Sequence, residues 1–306
     1  MKNRQKGVAV ISAMLLAALT TVIVGQLVWE QQLLISELDN QQNAVQTQWM
    51  ADGAIQWARP VLTEDARTSE LDHEKELWNT RLHPTPFEGG KVSGKIADMQ
   101  QYFNIDNLRQ DSHAQEVFNR LLAKLNLSET LTPALVDWLD EDDISSGADG
   151  AESNYYSNLT LPYLAANQSL VDLGDLIRVK GFNAGIINKL RPFVRALPKN
   201  TALNINTASA DVLSFVLPEV SVEEAQAIVA NRNVMPFTSV SDFLERTPNL
   251  RINLESKLSQ LNLSVNSQYF LVTCIAEIDH TTIRTEALMY REGSQDWPVV
   301  IWKRIG

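Results

Sequence analysis

No charge interrupts the twenty-one residues from Val8 to Val28, and the seven before them carry Lys2, Arg4 and Lys6 ahead of Gly7. An apolar run of this length matches the roughly 20 residues with which an α-helix crosses a hydrocarbon core of about 30 Å, and the preceding cations favour a cytoplasmic N-terminus. The bulk of the chain is therefore expected outside the cytoplasm. A cleaved secretory signal would end in small residues, and Val28-Trp29-Glu30-Gln31 offers none, so a retained anchor is the reading.

Past the membrane, Leu34, Leu38, Val45 and Trp49 recur at spacings compatible with one helical face, with no proline before Pro60. Residues 8 to 59 as one helix would form a rod of roughly 75 Å. Rods of that length usually pack against sister rods.

A chain of 306 residues with 44% hydrophobic content has room for two modest folded units beyond the rod. The net charge of -11 argues against a nucleic-acid partner. Cys274 is the only cysteine, which rules out an internal disulfide and suits a small apolar residue in a strand.

The acidity is concentrated. From Leu125 to Ile177 there is no Lys, Arg or His, while Glu129, Asp137, Asp140, Glu141, Asp142, Asp143, Asp149, Glu152, Asp172 and Asp175 all fall there. Hard oxygen donors crowd a loop of Ser and Gly, the material from which a calcium site with six to eight oxygens is built; the stricter octahedron of magnesium fits less well. An EF-hand is excluded, because counting from Asp140 puts Ser145 at the turn glycine and Ala151 at the bidentate glutamate. The competing reading is a solvated acidic loop or N-cap cluster.

Residues 203 to 244 read as short helices joined by turns. Thr207 or Ser209 can cap the first, and Ser221 with Glu224 makes a capping box for the second, a pattern similar to a helix-hairpin-helix module. DNA binding is disfavoured: Arg232, Arg246, Arg251 and Lys257 are outnumbered by Asp211, Glu219, Glu223, Glu224, Asp242, Glu245 and Glu255, and Leu217-Pro218-Glu219-Val220 lacks hairpin glycines. The module is expected to serve structure or protein contacts.

Strands are expected at Val92 to Phe103, at Tyr269 to Ile278 and Thr282 to Tyr290 around an Asp279-His280 turn, and at Val299 to Lys303. A sheet made from residues near 90 to 105 and 268 to 305 makes roughly 106 to 263 an insertion. The fold class is thus α+β, a long N-terminal helix on a small antiparallel sheet with a large inserted all-α domain. The segments are 1-7 leader, 8-62 helix, 63-105 first part of the α/β unit, 106-263 insertion and 264-306 closing strands. His73, His83, His113 and His280 are scattered and no nucleophile elbow or phosphate loop occurs, so no enzyme is expected.

Lys6-Gly7 before Val8-Ala9-Val10-Ile11 resembles the processing site of type IV pilins and type II secretion pseudopilins. The resemblance implies a pilin-like α/β unit, cleavage by the prepilin peptidase between Gly7 and Val8, and methylation of the new terminus. It assigns anchoring and helix bundling to Val8, Ile11, Ser12, Leu15, Leu19 and Val28. Most of that family has glutamate at the fifth mature position, where this chain has Ser12; a carboxylate in lipid needs a partner, so its absence suits a filament tip.

Val136 to Asp142, Gly150-Ala151-Glu152, Tyr155-Tyr156, Leu161-Pro162-Tyr163, Ala166-Asn167 and Asn204 to Ala208 are similar to the minor pseudopilin K family of type II secretion. That resemblance implies one or two structural Ca2+ ions, with Asp140, Asp142, Asp149 and Glu152 as first-choice ligands. Asp137 and Asp143 are second choices because alternate residues point apart. It implies a bitopic bacterial inner-membrane protein with a periplasmic head, contacting the inner-membrane assembly platform. With the I and J subunits it would cap the pseudopilus and help initiate assembly for export of folded proteins across the outer membrane. The rivals are a type IV pilus minor pilin and a membrane-anchored helix-hairpin-helix DNA-binding protein.

Overall fold

The computed structural model describes residues 4-218, 220-248, 261-293 and 296-306, with side chains from Val8 onward. Residues 1-3 of the leader, the side chains of Arg4, Gln5 and Lys6 ahead of the expected cleavage point, and Glu219, Arg251, Glu255 and Lys257 lie outside the described residues.

One helix, α1, runs Arg4–Thr68. It passes Pro60 and continues beyond the limit expected from the sequence. Proline removes one backbone donor and crowds the preceding turn, but tertiary contacts hold the next turns in place. Leu62 is fully buried, and Arg291 donates to the Leu62 carbonyl at 3.1 Å and to Asp65 Oδ2 at 2.9 Å. The buried stripe of α1 is Met50, Ala51, Ile55, Ala58 and Leu62. Leu34, Leu38, Val45 and Trp49 face outward, unpartnered by the chain's own sheet.

The sheet starts earlier than the sequence pattern implies. Strand β1, Leu82–Phe87, pairs with β2, Gly90–Asp98, across a turn in which Glu88 and Gly89 both have positive φ, 45° and 84°. Two left-handed central residues match the right-handed twist of a two-residue hairpin. Pro84 and Pro86 hide β1 from a propensity reading, yet proline is tolerated where a strand has only one neighbour. The strand expected at Val92 to Phe103 breaks after Asp98, whose Oδ1 accepts from the Gln100 amide at 2.7 Å and turns the chain. Phe103–Asn104, β3, then pairs in parallel with the later β4, Val194–Arg195.

The insertion follows as α2 (Ser112–Lys124), α3 (Leu131–Leu139), α4 (Ser153–Ser157) and α5 (Ala184–Leu190), then β4, β5 (Leu203–Asn204), α6 (Ala210–Val216), α7 (Val222–Val234) and α8 (Val240–Arg246). Its core is continuous, with Phe103, Leu108, Phe118, Leu121, Leu135 and Val212 among the buried members. The Ser221–Glu224 capping box is formed in both directions, and Ser209 rather than Thr207 caps α6.

After β6 (Leu263–Ser264), which pairs with β5, the chain returns as β7 (Tyr269–Ile278), β8 (Thr281–Tyr290) and β9 (Val299–Ile305). The antiparallel order is β1-β2-β7-β8-β9. One sheet face packs Val272, Cys274, Ala276, Ala287 and Met289 under α1. Cys274 is a buried strand residue whose thiol burial pushes up to about 11.

The insertion leaves at the end of β2 and rejoins at the start of β7, and these strands pair with Asp98 opposite Phe270. A buried polar network seals the joint. Asp98 Oδ2 accepts from Thr207 Oγ1 at 2.5 Å, Ser267 Oγ at 2.8 Å and Asn204 Nδ2 at 3.3 Å. Asp72 accepts from the Ser267 amide and from Arg291. Burial raises Asp98 to about 6 and Asp65 to about 7 against these donors.

Candidate functional site

The acidic loop hangs from the C-terminal end of α3. Eight of the nine residues of α3 are buried, so its position is set by the core and not by the charges. Asp137, fully buried near its end, uses its carboxylate on backbone: Oδ1 accepts from the Ser146 amide at 2.9 Å and Oδ2 from the Ala151 amide at 2.6 Å. The loop from Asp140 to Gly150 is thereby closed onto the helix. Gly150 passes so near that a Cβ there would lie 2.3 Å from Asp137 Oδ2.

Asp137, Asp140 and Glu152 offer oxygens within 4.8 Å of one another. Glu152, 5% exposed, has no hydrogen-bond donor at either carboxylate oxygen, and Asp140 Oδ1 is likewise buried without one. Burial, followed by the negative charge of Asp137, raises Glu152 to about 7. Burial, followed by Asp142 and then Asp137, raises Asp140 to about 6, with Arg109 the opposing influence. Buried acceptors without donors are strongly disfavoured unless a cation or proton meets them.

Of the residues expected from sequence, the trio therefore gathers Asp140 and Glu152 with Asp137. Asp142, Asp143 and Asp149 fall outside it. Asp142 Oδ1 accepts from the Ile144 amide, Asp143 Oδ1 from Asn167 Nδ2, and the main-chain carbonyl of Asp149 from Lys180 Nζ. Lys180 also donates to the Gly150 carbonyl at 3.0 Å and lies 5.0 Å from the Tyr155 ring. Trp138, Tyr156 and Tyr163 pack as an aromatic cluster, with Trp138 and Tyr156 centroids 5.0 Å apart. Lys180 and Asn167 are partners that charge patterning alone does not reveal, since one lies beyond the acidic stretch and the other is neutral.

The membrane segment is equally plain. Val8, Ile11, Leu15, Leu19 and Val28 are each about half exposed or more on α1, and Ser12 is exposed among them. The helix is long and apolar enough to span a bilayer, with none of its most apolar window buried within the chain.

In the helix-hairpin-helix-like part, the described bases are consumed internally. Arg232 is buried and donates to the carbonyls of Ile205 and Ala208. Arg246 pairs with Asp242 and donates to the Met235 carbonyl at 2.8 Å. Neither presents a free guanidinium to a phosphate.

Residues 101–199 and 203–266 match two family descriptions, both reading type II secretion system (T2SS), protein K. The chain is 35% identical to type II secretion system protein K of Pseudomonas aeruginosa, over 89% of this chain and 84% of that relative. It is 28% identical to the protein of the same name from Pectobacterium carotovorum, over 96% and 95%. Its fold matches a chain from the crystal structure of the GspK-GspI-GspJ complex of the enterotoxigenic Escherichia coli type 2 secretion system, with TM-score 0.77 and 26% identity, covering 88% of this chain and 99% of that one.

Proposed function

The chain belongs to the type II secretion system protein K family, and from that premise, which makes it a minor pseudopilin, we propose that it caps the pseudopilus tip with I and J subunits and helps initiate assembly. The supporting observation is its likeness to one chain of a GspK-GspI-GspJ complex. Bulk supports it too: the insertion meets the rest of the chain where Asn204 and Ser267 bond Asp72, just past the end of α1 at Thr68 and far along it from Val8 to Val28, and would obstruct repetition along a shaft. Full-length protein extracted in detergent should co-purify with I and J subunits in equal amounts. Immunogold spread along the filament shaft would sink the reading. The internal use of Arg232 and Arg246 disfavours the DNA-binding rival.

The N-terminal helix is read as a single-pass anchor in the inner membrane, N-terminus cytoplasmic and head periplasmic, cleaved between Gly7 and Val8, methylated and engaged by the assembly platform. The exposed apolar surface from Val8 to Val28 supports this, together with the cations that precede it. Intact-mass measurement of the membrane-extracted protein should show a terminus at Val8 with one added methyl group.

The acidic loop is read as a structural calcium site. Its residues fit: Asp140 and Glu152 supply donor-free oxygens, and Asp137 adds a third carboxylate already ordered by two amides, so the grouped ligands are all hard oxygens. When bound, the ion supplies positive charge and a cross-link, with no catalytic step. Calorimetry with Ca2+ and Mg2+, repeated on Asp140→Ala with Glu152→Ala, tests it; identical heats from both proteins would remove the reading.

A further inference from the structure

The end of α1 and the stretch after it gather a separate group of carboxylates, none of them from the acidic loop. Asp65 lies in the last turn of α1, Asp72 follows the helix, and Glu76 precedes a short 3-10 helix, Leu77–Asn79. An oxygen of each lies within 4.8 Å of the others. Opposite ligands on a calcium ion are about 4.6 to 5.2 Å apart, so three oxygens at this spread fit one coordination shell.

Most of these oxygens already have donors. Arg291 donates to Asp65 Oδ2 and to both oxygens of Asp72, and Asp72 Oδ2 also accepts from the Ser267 amide. Glu76 Oε2 accepts from the His73 amide and from Trp78 Nε1, each at 2.8 Å. Glu76 Oε1 is the exception: it is buried without a donor, on a side chain 9% exposed. His73 Nε2 stays 3.9 Å from it, beyond hydrogen-bond reach. His73 Nδ1 accepts from the Lys75 amide at 3.2 Å, so the ring is the neutral Nε2–H tautomer and brings no charge. A buried acceptor left in this condition calls for a cation or a proton.

The charges do not balance either. Three carboxylates meet one guanidinium, and Asp98, joined to Asp72 through Ser267, adds to the excess instead of offsetting it. Burial, followed by the charge of Glu76, raises Asp65 to about 7. We propose that Asp65, Asp72 and Glu76 hold a divalent cation of the calcium type, with Glu76 Oε1 as the ligand that no donor of the protein serves. Carboxylate oxygens without thiolate or imidazole among them suit a hard cation over a transition metal. The ion fastens Glu76 to Asp72, which the Ser267 amide and Asn204 Nδ2 already tie to the seam where the insertion joins. It thereby sets how the head stands on the end of the rod, independently of any ion in the acidic loop.

The test counts ions on the full chain in detergent by equilibrium dialysis against radioactive Ca2+. Glu76→Gln keeps an oxygen for the His73 amide and Trp78 Nε1 and puts an amide nitrogen in place of the donor-free oxygen, so the surrounding hydrogen bonds survive. This variant should bind one Ca2+ fewer per chain than wild type. The same difference of one should appear when Glu76→Gln is added to Asp140→Ala with Glu152→Ala, which separates this ion from any held by the acidic loop; the wild-type comparison decides alone should that background not fold. Equal counts with and without Glu76→Gln overturn the proposal and leave a proton as the balancing charge. Should Glu76→Gln itself not fold, hydrogen exchange on the wild type decides: Ca2+ must slow amides 73 to 78, and no slowing overturns the proposal.

Discussion

Asp137 holds the amide of Ala151 at 2.6 Å, fourteen residues along the chain, from a fully buried carboxylate at the end of α3. The acidic loop is therefore closed onto α3 through a carboxylate that accepts two main-chain amides. Replacing Asp137 by Ala strands the amides of Ser146 and Ala151, and a buried unmet donor costs about 1 to 3 kcal/mol. Asp137→Ala should unfold about 2 to 4 kcal/mol more easily in urea without calcium. A stability equal to wild type would deny the carboxylate this role.

Glu152 should behave in the opposite sense. Its charge is buried among other carboxylates with no donor, so Glu152→Gln removes repulsion as well as a ligand. The variant should match or exceed wild-type stability in EGTA, yet lose the rise in melting temperature that calcium gives the wild type. At a hundredfold excess over the dissociation constant, that rise corresponds to about 2.7 kcal/mol. A calcium-dependent shift as large as wild type in Glu152→Gln would count against the site.

Arg291 is buried and forks between Asp65 and Asp72, at 2.9 and 2.6 Å. It is the only basic group paired to either carboxylate among the described residues. Arg291→Met should destabilise by about 3 to 5 kcal/mol at neutral pH, because breaking a buried pair leaves uncompensated charge. The loss should shrink in mild acid as Asp65, raised to about 7 chiefly by burial, takes a proton. Equal losses at pH 5 and pH 8 would contradict this.

Asp98 makes the joint sensitive to pH. Its folded value of about 6 exceeds the ordinary 3.8, so the folded state binds the proton more tightly. The contribution is fully present below about pH 4 and is lost as pH rises through about 6, worth about 3 kcal/mol across that interval. Asp98→Asn should flatten that part of the stability profile, at some loss of the hydrogen bonds from Thr207 and Ser267. Urea melts between pH 4 and 8 would show it, and an unaltered slope in the variant would refute it.

Much of this architecture was legible in the chain, for physical reasons. A charge-free run of membrane length has few alternatives, and the β-branched stretches from Tyr269 to Tyr290 around Asp279 could form little but a hairpin. Pro60 and the prolines of β1 misled because tertiary contacts and an edge position overrode local preference. The acidic loop misled differently. Judging Asp137 by the alternation of an extended chain sets it apart from Asp140, but Asp137 lies in α3 and Asp140 caps it, and residues three apart on a helix share a face. Asn167 was hidden because a neutral amide leaves no trace in a charge pattern.

The pairing of Asp98 with Phe270 means that the head is grafted at a single seam between neighbouring strands. Trimming it back to a tight turn would leave every β1-β2-β7-β8-β9 partnership intact, and a plain, slender subunit would remain. A common stalk can thus carry extra bulk spliced into one hairpin without a change in its strand partnerships.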